Sequence, residues 1–341
     1  MSGLAIGIAG AGVLGRLLAW RLARAGHRVT VCDPAPDALA RGAAGWTAAG
    51  MLSPLAELDG GDADVAALGW RSLALWPQWC AELGTCDTPV AFAQRGSLLV
   101  AHASDRASAQ RLLARIAAHA PDAPVRPLDA VALHEREPAL VRGLLGWHLP
   151  GEGQIHPGQA MAALAEAATR AGARWCWSRP VHSVAAHTLD GERFDLVFDV
   201  RGLGARPALP LRGVRGEIFT LHAPGVPLAH PVRLLHPRWR VYLVPRPGDR
   251  LVVGATEIES EDRSPVSVRS ALELLGAAQS VLPELAEARL EACETNLRPA
   301  LPDHRPRLDG APGLVRINGL YRHGWLIAPA LVETATQGLL A

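Results

Sequence analysis

Apolar residues near the start of the chain follow first a strand pattern and then a helical pattern. Residues 4–9 form a short apolar run ending in glycines, which is typical of a buried strand. Residues 13–25 then place leucines on one helical face, and residues 28–32 predict a second strand closed by Asp33. This order predicts a β-α-β unit of about thirty residues at the start of a doubly wound sheet.

The rest of the chain predicts a mixture of helices and strands. Helices are predicted over residues 63–83, 105–120, 158–171 and 268–281, and from about Ala328 onward. Strands are predicted over residues 95–101, 174–177, 195–199, 216–222, 240–245, 251–255 and 314–318. Residues 41–55 are too rich in alanine and glycine for a regular element. The strands of residues 216–255 follow one another as in an antiparallel sheet, so we expect a second layer that covers a ligand.

Composition narrows the possible functions more than the average charge does. The chain has 341 residues, which suggests two domains, and a formal net charge of +1, which does not favour a nucleic-acid partner. All 34 basic residues are arginines, because the sequence contains no lysine. A lysine Schiff base, a pyridoxal-phosphate enzyme of the usual kind and a Walker A loop are therefore excluded.

The cysteines and termini indicate a soluble cytoplasmic protein. The five cysteines include no C-x-x-C pair, so we expect neither a zinc site nor a dithiol redox motif. The histidines show no metal-ligand spacing, so no metal is expected. An odd cysteine count without a signal peptide fits a reducing compartment. No run of 18 or more mainly apolar residues predicts a membrane span.

A glycine motif in the first β-α turn predicts dinucleotide binding. Gly10, Gly12 and Gly15 form G-x-G-x-x-G between a strand and a helix, and Asp33 follows about twenty residues later. Gly10 permits the tight turn, Gly12 lets backbone approach a pyrophosphate, and Gly15 lets the helix pack against the strand. Asp33 can accept hydrogen bonds from a ribose. NAD and FAD share this motif, and a glycine-rich turn without a ligand is the alternative.

Four further segments resemble the D-amino-acid oxidase superfamily of flavoproteins, and most of all its glycine oxidase branch, which serves thiamine synthesis. They occur in the family's order and spacing over nearly the whole chain. The segments are Ala48-Ala49-Gly50-Met51-Leu52, the hairpin Tyr242 to Arg246 with Leu251 to Thr256, Asn296-Leu297-Arg298-Pro299, and Tyr321 to Pro329.

The resemblance implies noncovalently bound FAD and a set of cofactor contacts. Val13 and Leu14 would lie at the pyrophosphate, and Asp33 and Pro34 at the adenosine ribose. Val181 would contact the adenine through its backbone. The flavin side would be lined by Ala44, Gly45, Ala49, Gly50, Met51, Leu320, Tyr321, Arg322, His323, Gly324, Trp325 and Leu326.

The resemblance also implies a substrate site for a small amino acid. Arg298 matches the family's carboxylate-binding arginine, and a planar guanidinium suits two carboxylate oxygens. Tyr242 and Met51 would line the pocket, and Arg322 would lie near substrate and flavin. The implied reaction oxidises glycine or a similar amine to the imine by hydride transfer to flavin N5, with oxygen as acceptor. For each arginine the alternative is a solvated surface residue, and for Tyr242 a half-buried strand residue.

The chain departs from the family at several positions. Arg240 stands where glycine oxidase has histidine, which adds a cation near the expected pocket mouth. Sarcosine oxidases use a lysine to promote the reaction with oxygen, and none exists here. Gly319-Leu320 replaces the family's Gly-His. The chain ends soon after the last predicted helix begins, so we expect a shorter C-terminus than in relatives.

We therefore expect an α/β fold with a Rossmann-like FAD-binding domain and an α+β substrate domain on a mixed or antiparallel sheet. The FAD-binding domain is predicted over residues 1–85, 151–213 and 296–341, and the substrate domain over 86–150 and 214–295. Two alternatives stay open for function: a D-amino-acid or sarcosine-type dehydrogenase with an acceptor other than oxygen, and a flavin-binding protein without catalysis. The oligomeric state is also open.

Overall fold

The computed structural model describes residues 3–60, 63–84, 87, 89–236, 238 and 240–340. Cys86, one of the five cysteines, lies outside the described residues, as do the predicted domain limits 1, 85, 86 and 341.

The described residues form twenty strands. They are β1 Ala5–Ala9, β2 Arg28–Cys32, β3 Met51–Leu52, β4 Phe92–Ala93, β5 Ser97–Ala101, β6 Arg126–Leu128, β7 Leu145–Leu149, β8 Gly153–Ile155, β9 Arg174–Cys176, β10 Val184–Ala185, β11 Thr188–Leu189, β12 Glu192–Arg193, β13 Leu196–Asp199, β14 Arg212–His222, β15 Val232–Leu235, β16 Arg240–Arg246, β17 Arg250–Gly254, β18 Arg289–Ala300, β19 Arg307–Ala311 and β20 Leu314–Asn318.

The same residues form eight α-helices. They are α1 Val13–Arg24, α2 Pro54–Glu57, α3 Ala63–Leu83, α4 Arg106–His119, α5 Ala130–Arg136, α6 Pro157–Arg170, α7 Val268–Val281 and α8 Gly324–Ala335. Short 3₁₀ turns occupy Ala44–Trp46, Leu58–Gly60, Ala103–Asp105, Gly202–Ala205 and Pro283–Glu287.

A six-stranded sheet carries the dinucleotide motif. Its strand order is β19-β20-β13-β1-β2-β9, and all neighbours are parallel except β19 and β20. One face buries Ile6 and Ile8 against α1, α6 and α8. The other face is covered by the small meander β10-β11-β12, where Gly7 leaves room for Leu189. The carboxyl ends of the parallel strands thus meet at one edge, where α/β proteins bind dinucleotides.

An eight-stranded mixed sheet forms the second layer. Its order is β18-β14-β17-β16-β15-β5-β7-β6, with only β15 and β5 parallel. Leu243, Val253 and Phe219 pack from this sheet against α7 in a separate core. The expected α/β fold with a mixed second sheet is confirmed. A three-stranded sheet, β3-β8-β4, joins segments near residues 51, 92 and 154.

The structure differs from the sequence prediction at two elements that matter for the site. Strand β18 was not predicted, because it is a mostly polar edge strand that contains Pro299, which an edge strand tolerates. The last helix begins at Gly324 and not near Ala328. Its first turn packs against α3, where Trp76 Nε1 donates a hydrogen bond to the Trp325 carbonyl at 3.2 Å.

Within the described ranges, no helix combines the length and the apolar character that crossing a lipid bilayer requires.

Candidate active site

The glycine turn after β1 has the three roles that its motif predicts. Gly10 has φ +104°, and a Cβ on it would lie 2.7 Å from the Val200 carbonyl oxygen. A Cβ on Gly15 would lie 1.8 Å from the Gly10 carbonyl oxygen, so Gly15 lets α1 pack against the turn. Gly12 is the N-cap of α1 and offers no side-chain acceptor. The first-turn N–H groups of α1 are therefore not capped by a side chain, and such groups bind phosphate.

A cavity of about 680 Å³, here called the larger cavity, extends from this turn along the carboxyl edge of the six-stranded sheet. Its volume lies within the range of about 300–1,000 Å³ that small-molecule sites occupy. Fourteen of the cofactor residues expected from the sequence line it: Gly10, Gly12, Val13, Leu14, Asp33, Pro34, Ala44, Gly45, Val181, Leu320, Tyr321, Arg322, Gly324 and Trp325.

The remaining expected cofactor residues lie elsewhere. Ala49, Gly50, Met51 and Leu326 line a second, adjoining cavity. Gly15 packs behind the turn, and His323 is buried with its Nδ1 atom 3.2 Å from Glu57.

The acid at the end of β2 is held in place by backbone amides. Asp33 Oδ2 accepts from the Ala11 amide at 2.6 Å, and Oδ1 accepts from the Ala35 amide at 2.8 Å. Each carboxylate oxygen keeps a further lone pair. Arg201 binds the Asp199 carboxylate and donates a hydrogen bond to the Val181 carbonyl at 2.7 Å, which fixes the segment that contains Val181 at the cavity wall.

Two helix N-termini meet at the larger cavity. Helix α8 begins after His323 without a side-chain cap, and a Cβ on Gly324 would find Val13 as its nearest neighbour at 3.9 Å. Gly45 is fixed nearby, because its carbonyl accepts from Trp325 Nε1 at 2.9 Å. Positive helix ends and exposed backbone on one wall suit an anionic, flat ligand.

The adjoining second cavity, here called the smaller cavity, measures about 120 Å³. Met51, Tyr242 and Arg240 line it together with Glu57 and Glu257. Residues that line both cavities form their common wall: Thr47, Ala48, Arg298, Arg322 and Trp325.

Arg298 presents its guanidinium to this common wall. Its Nη1 donates to the Thr256 carbonyl at 2.9 Å, and it has no carboxylate partner among the residues that the structure describes. Strand β18 pairs with β14 so that Arg298 lies diagonally beside Gly216. A Cβ on Gly216 would be 2.5 Å from Arg298 Cζ, so this glycine makes the space for the guanidinium.

Arg322 differs from Arg298, because two carboxylates neutralise it. Its Nη2 lies 2.9 Å from Glu57 and its Nη1 lies 3.1 Å from Glu257. Burial alone would raise the pKa of Glu57, but His323 and Arg322 outweigh burial and hold that pKa well below its usual range. Glu257 likewise has a lowered pKa, since Tyr321 and Arg322 outweigh its burial.

Tyr242 lies on β16 opposite Gly254, which has no side chain to block the phenol ring. A Cβ on Gly254 would lie 2.8 Å from Tyr242 Oη. Burial raises the pKa of Tyr242, so its hydroxyl stays protonated and can donate a hydrogen bond into the smaller cavity.

Several cavity residues were not expected from the sequence. Glu57 and Glu257 supply the carboxylates of the smaller cavity, and buried Arg233 lines it while donating to the Ala56 carbonyl at 3.0 Å. No local motif marks these residues, since only the folded chain brings them together. Arg240 lies at the edge with a half-exposed side chain, 3.7 Å from both Asp59 and Glu257.

A model of the family described as FAD-dependent oxidoreductase, DAO, matches residues 5–337. The chain belongs to this family. Its cofactor is accordingly FAD, and the larger cavity fits it, because the uncapped start of α1 and the glycine backbone at 12, 45 and 324 leave room for a dinucleotide.

Two curated relatives and a solved structure are similar over nearly the whole chain. A protein of Rhizobium etli named as a thiamine biosynthesis oxidoreductase, ThiO, is 39% identical over 97% of this chain and 95% of its own length. A glycine oxidase of Geobacillus kaustophilus is 30% identical over 95% of this chain and 89% of its own. The crystal structure of glycine oxidase from that organism matches with a TM-score of 0.87 at 27% identity, over 99% of this chain and 95% of the other.

Proposed function

We propose that this FAD-dependent oxidoreductase converts glycine, or a similarly small amino acid or amine, to the imine, with oxygen reoxidising the flavin, in the synthesis of the thiamine thiazole. The relatives named ThiO and glycine oxidase support this reaction. The observation that carries it is the guanidinium of Arg298, which forms no ion pair with a carboxylate of the described residues and lies on the wall between a dinucleotide-sized cavity and a small one.

Arg298 binds the substrate carboxylate in this proposal. Of the arginines that line the smaller cavity, Arg322, Arg233 and Arg240 each form an ion pair with a carboxylate within 4 Å, whereas Arg298 forms none with the described residues. A guanidinium held only by carbonyl groups is free to form two charge-assisted hydrogen bonds with a carboxylate. Tyr242 donates a further hydrogen bond from its protonated hydroxyl, and Met51 borders the pocket.

When bound, FAD supplies the hydride acceptor. The N-termini of α1 and α8 would face the cofactor with positive ends, and Asp33 would accept a hydrogen bond from its ribose. Arg322 is fixed on the common wall because Glu57 and Glu257 hold both of its terminal nitrogens. The protein's contribution to rate is then orientation of the substrate carbon together with fixed charge, since hydride transfer from a neutral amine requires no strong base.

Other predictions from the sequence belong to the same proposal. The FAD is bound noncovalently, and the protein works in the cytoplasm. The cofactor-binding domain spans residues 1–85, 151–213 and 296–341, and the substrate domain spans 86–150 and 214–295. A homo-oligomer stays a prediction.

Anaerobic titration tests the reaction. The purified protein is expected to show the visible flavin band, and glycine added without oxygen is expected to bleach it, with glyoxylate and ammonia released after hydrolysis. Colour that persists with glycine and with other small amino acids would contradict the proposal and favour a flavin-binding protein without catalysis.

A dehydrogenase that uses another acceptor is the second candidate, and the absence of lysine from the chain favours it. Stopped-flow reoxidation separates the two. Fast reoxidation by oxygen supports the oxidase, whereas slow reoxidation by oxygen with fast reduction of a dye supports the dehydrogenase.

A further inference from the structure

Two cysteines from distant parts of the sequence face each other at the edge of the six-stranded sheet. Cys32 ends β2, Cys176 ends β9, and the two residues are direct partners in the parallel register. Neighbouring strands lie about 4.7–4.9 Å apart, which falls within the Cα separation of about 4.4–6.8 Å that a disulfide requires. Their side chains share the face covered by the β10-β11-β12 meander and belong to the same cluster of packed residues. Both thiols are free.

The two thiols have different surroundings. Cys32 is buried, and burial raises the pKa of its thiol to about 11, although Arg179 opposes the rise. Cys176 is partly exposed, and Arg179, which lies near both thiols, pairs with Glu192 at 2.9 Å. Because exposure admits an oxidant and a nearby cation stabilises negative charge that develops during the reaction, Cys176 is the thiol equipped to react first.

The pair lies at one end of the larger cavity, where Cys32 is one of the lining residues. The Cys32 carbonyl accepts from the Gly10 amide of the glycine turn at 2.9 Å. The next residue, Asp33, donates its amide to the Cys176 carbonyl at 3.2 Å and holds Ala11 with its carboxylate. Covalent change at these thiols therefore occurs at the segment that forms the cavity wall.

We propose that Cys32 and Cys176 form a reversible thiol–disulfide couple that hydrogen peroxide oxidises. The Cys176 sulfur attacks one peroxide oxygen, so that an S–O bond forms, the O–O bond breaks, and hydroxide leaves and takes the thiol proton to become water. The Cys32 sulfur then attacks the Cys176 sulfur, so that the S–S bond forms and the S–O bond breaks, and a second water leaves with the Cys32 proton. Two thiols lose two electrons, and one peroxide becomes two waters.

The source of peroxide links this couple to the reaction. Under the proposed function, oxygen accepts two electrons and two protons from the reduced flavin and becomes hydrogen peroxide within the same protein. The cysteine geometry does not depend on that step, so the test uses added peroxide, and its outcome is separate from that of the glycine titration.

Peptide mapping of the peroxide-treated holoenzyme tests the couple. After remaining thiols are alkylated, we expect the Cys32 and Cys176 peptides to be joined, with the loss of two hydrogen atoms, and to separate on reduction. Exposed Cys293 is the internal control and is expected to stay alkylated at the same dose. The proposal is overturned if Cys293 oxidises while Cys32 and Cys176 remain alkylated, or if Cys176 becomes sulfinic acid without linkage.

Variants test the assigned order and the role of Arg179. In Cys32→Ser, Cys176 is expected to stop at sulfenic acid, which a cyclic 1,3-dione traps. Arg179→Gln is expected to slow disulfide formation, whereas Arg174→Gln, which removes another partner of Glu192 on the same strand as Cys176, is expected to leave the rate unchanged. Equal slowing by both arginine variants would contradict the role given to Arg179.

Discussion

The two adjoining cavities are built by different means. The larger cavity is formed by glycines, uncapped helix ends and small residues, so backbone decides what it binds. The smaller cavity is formed by arginines and carboxylates from distant segments, so paired and unpaired charges decide what it binds. The comparison predicts that substitutions in the larger cavity impair binding by steric exclusion. Substitutions in the smaller cavity are expected to act through the charge and position of side chains.

The largest effect is expected at Gly12. A Cβ at this position has no neighbour closer than Ala43 at 4.0 Å, so Gly12→Val leaves the fold intact but fills space that the cofactor needs. We expect FAD affinity to fall at least roughly a hundredfold, or about 2.7 kcal/mol. Absorbance of bound flavin per protein, measured beside thermal unfolding, checks this.

A second glycine provides the matched control for Gly12. Gly276 lies in the middle of α7 on its exposed face, and a Cβ there would meet no atom within 4 Å. We therefore expect Gly276→Ala to stabilise the protein by about 0.5–1 kcal/mol and to leave the FAD content unchanged. Full FAD occupancy in Gly12→Val would contradict the backbone description of the larger cavity.

Arg298→Ala should weaken the use of the substrate more than the binding of the cofactor. Loss of a buried charge partner costs about 2–5 kcal/mol, so kcat/KM for glycine is expected to fall roughly a hundredfold. Steady-state kinetics at normal FAD content measure this. Arg250→Ala removes an exposed arginine paired with Glu291 far from both cavities, and its kinetics should match the wild type. Unchanged turnover in Arg298→Ala would remove the basis for the proposed substrate site.

Gly216→Ala should have a smaller effect through the same guanidinium. Its methyl group would displace the flexible end of Arg298 from the Thr256 carbonyl, which is expected to raise KM roughly tenfold, or about 1.4 kcal/mol, with less change in kcat. A double-mutant cycle tests the cause, because the effect should vanish when Arg298 is already alanine. An equal loss in both backgrounds would indicate general damage to the sheet.

The smallest effect is expected on stability, at Glu57. Glu57→Gln keeps the side-chain shape, and Glu257 still neutralises Arg322, so we expect a loss of only about 1 kcal/mol at neutral pH. Since the folded-state pKa of Glu57 is depressed, its contribution is present above the ordinary value and lost as pH falls. Between about pH 5 and pH 3 the wild type should therefore lose more stability than the variant. Parallel denaturation curves that keep a constant separation would contradict this account.

The sequence predicted local elements best where one face of the element is continuously buried. Helices α3 and α7 and strands β2 and β20 have the expected bounds, because their apolar periodicity is regular. Strand β18 was not predicted, although it carries Arg298. Its polar residues and Pro299 show no alternation of apolar and polar positions. Only its long pairing with β14 makes it a strand.

The residues of the candidate site also differ in how far the sequence predicts them. The glycine motif and Asp33 lie close enough in the sequence for a single β-α-β unit to fix their relative positions. Glu57 and Glu257 became visible only when the fold placed them on either side of Arg322. Likewise, cysteine spacing predicted no dithiol motif, yet the parallel register of β2 and β9 sets Cys32 beside Cys176.

By itself, the sequence determined the dinucleotide turn, the class of fold and the exclusion of lysine chemistry, because these depend on residue types and short spacings. The tertiary structure decided which cavity arginine forms no ion pair within the described part of the chain, which carboxylates neutralise the others and which cysteines lie side by side. The physical reason is that charge pairing and thiol contact depend on distances of a few ångströms across strand registers, and no spacing along the chain encodes those distances.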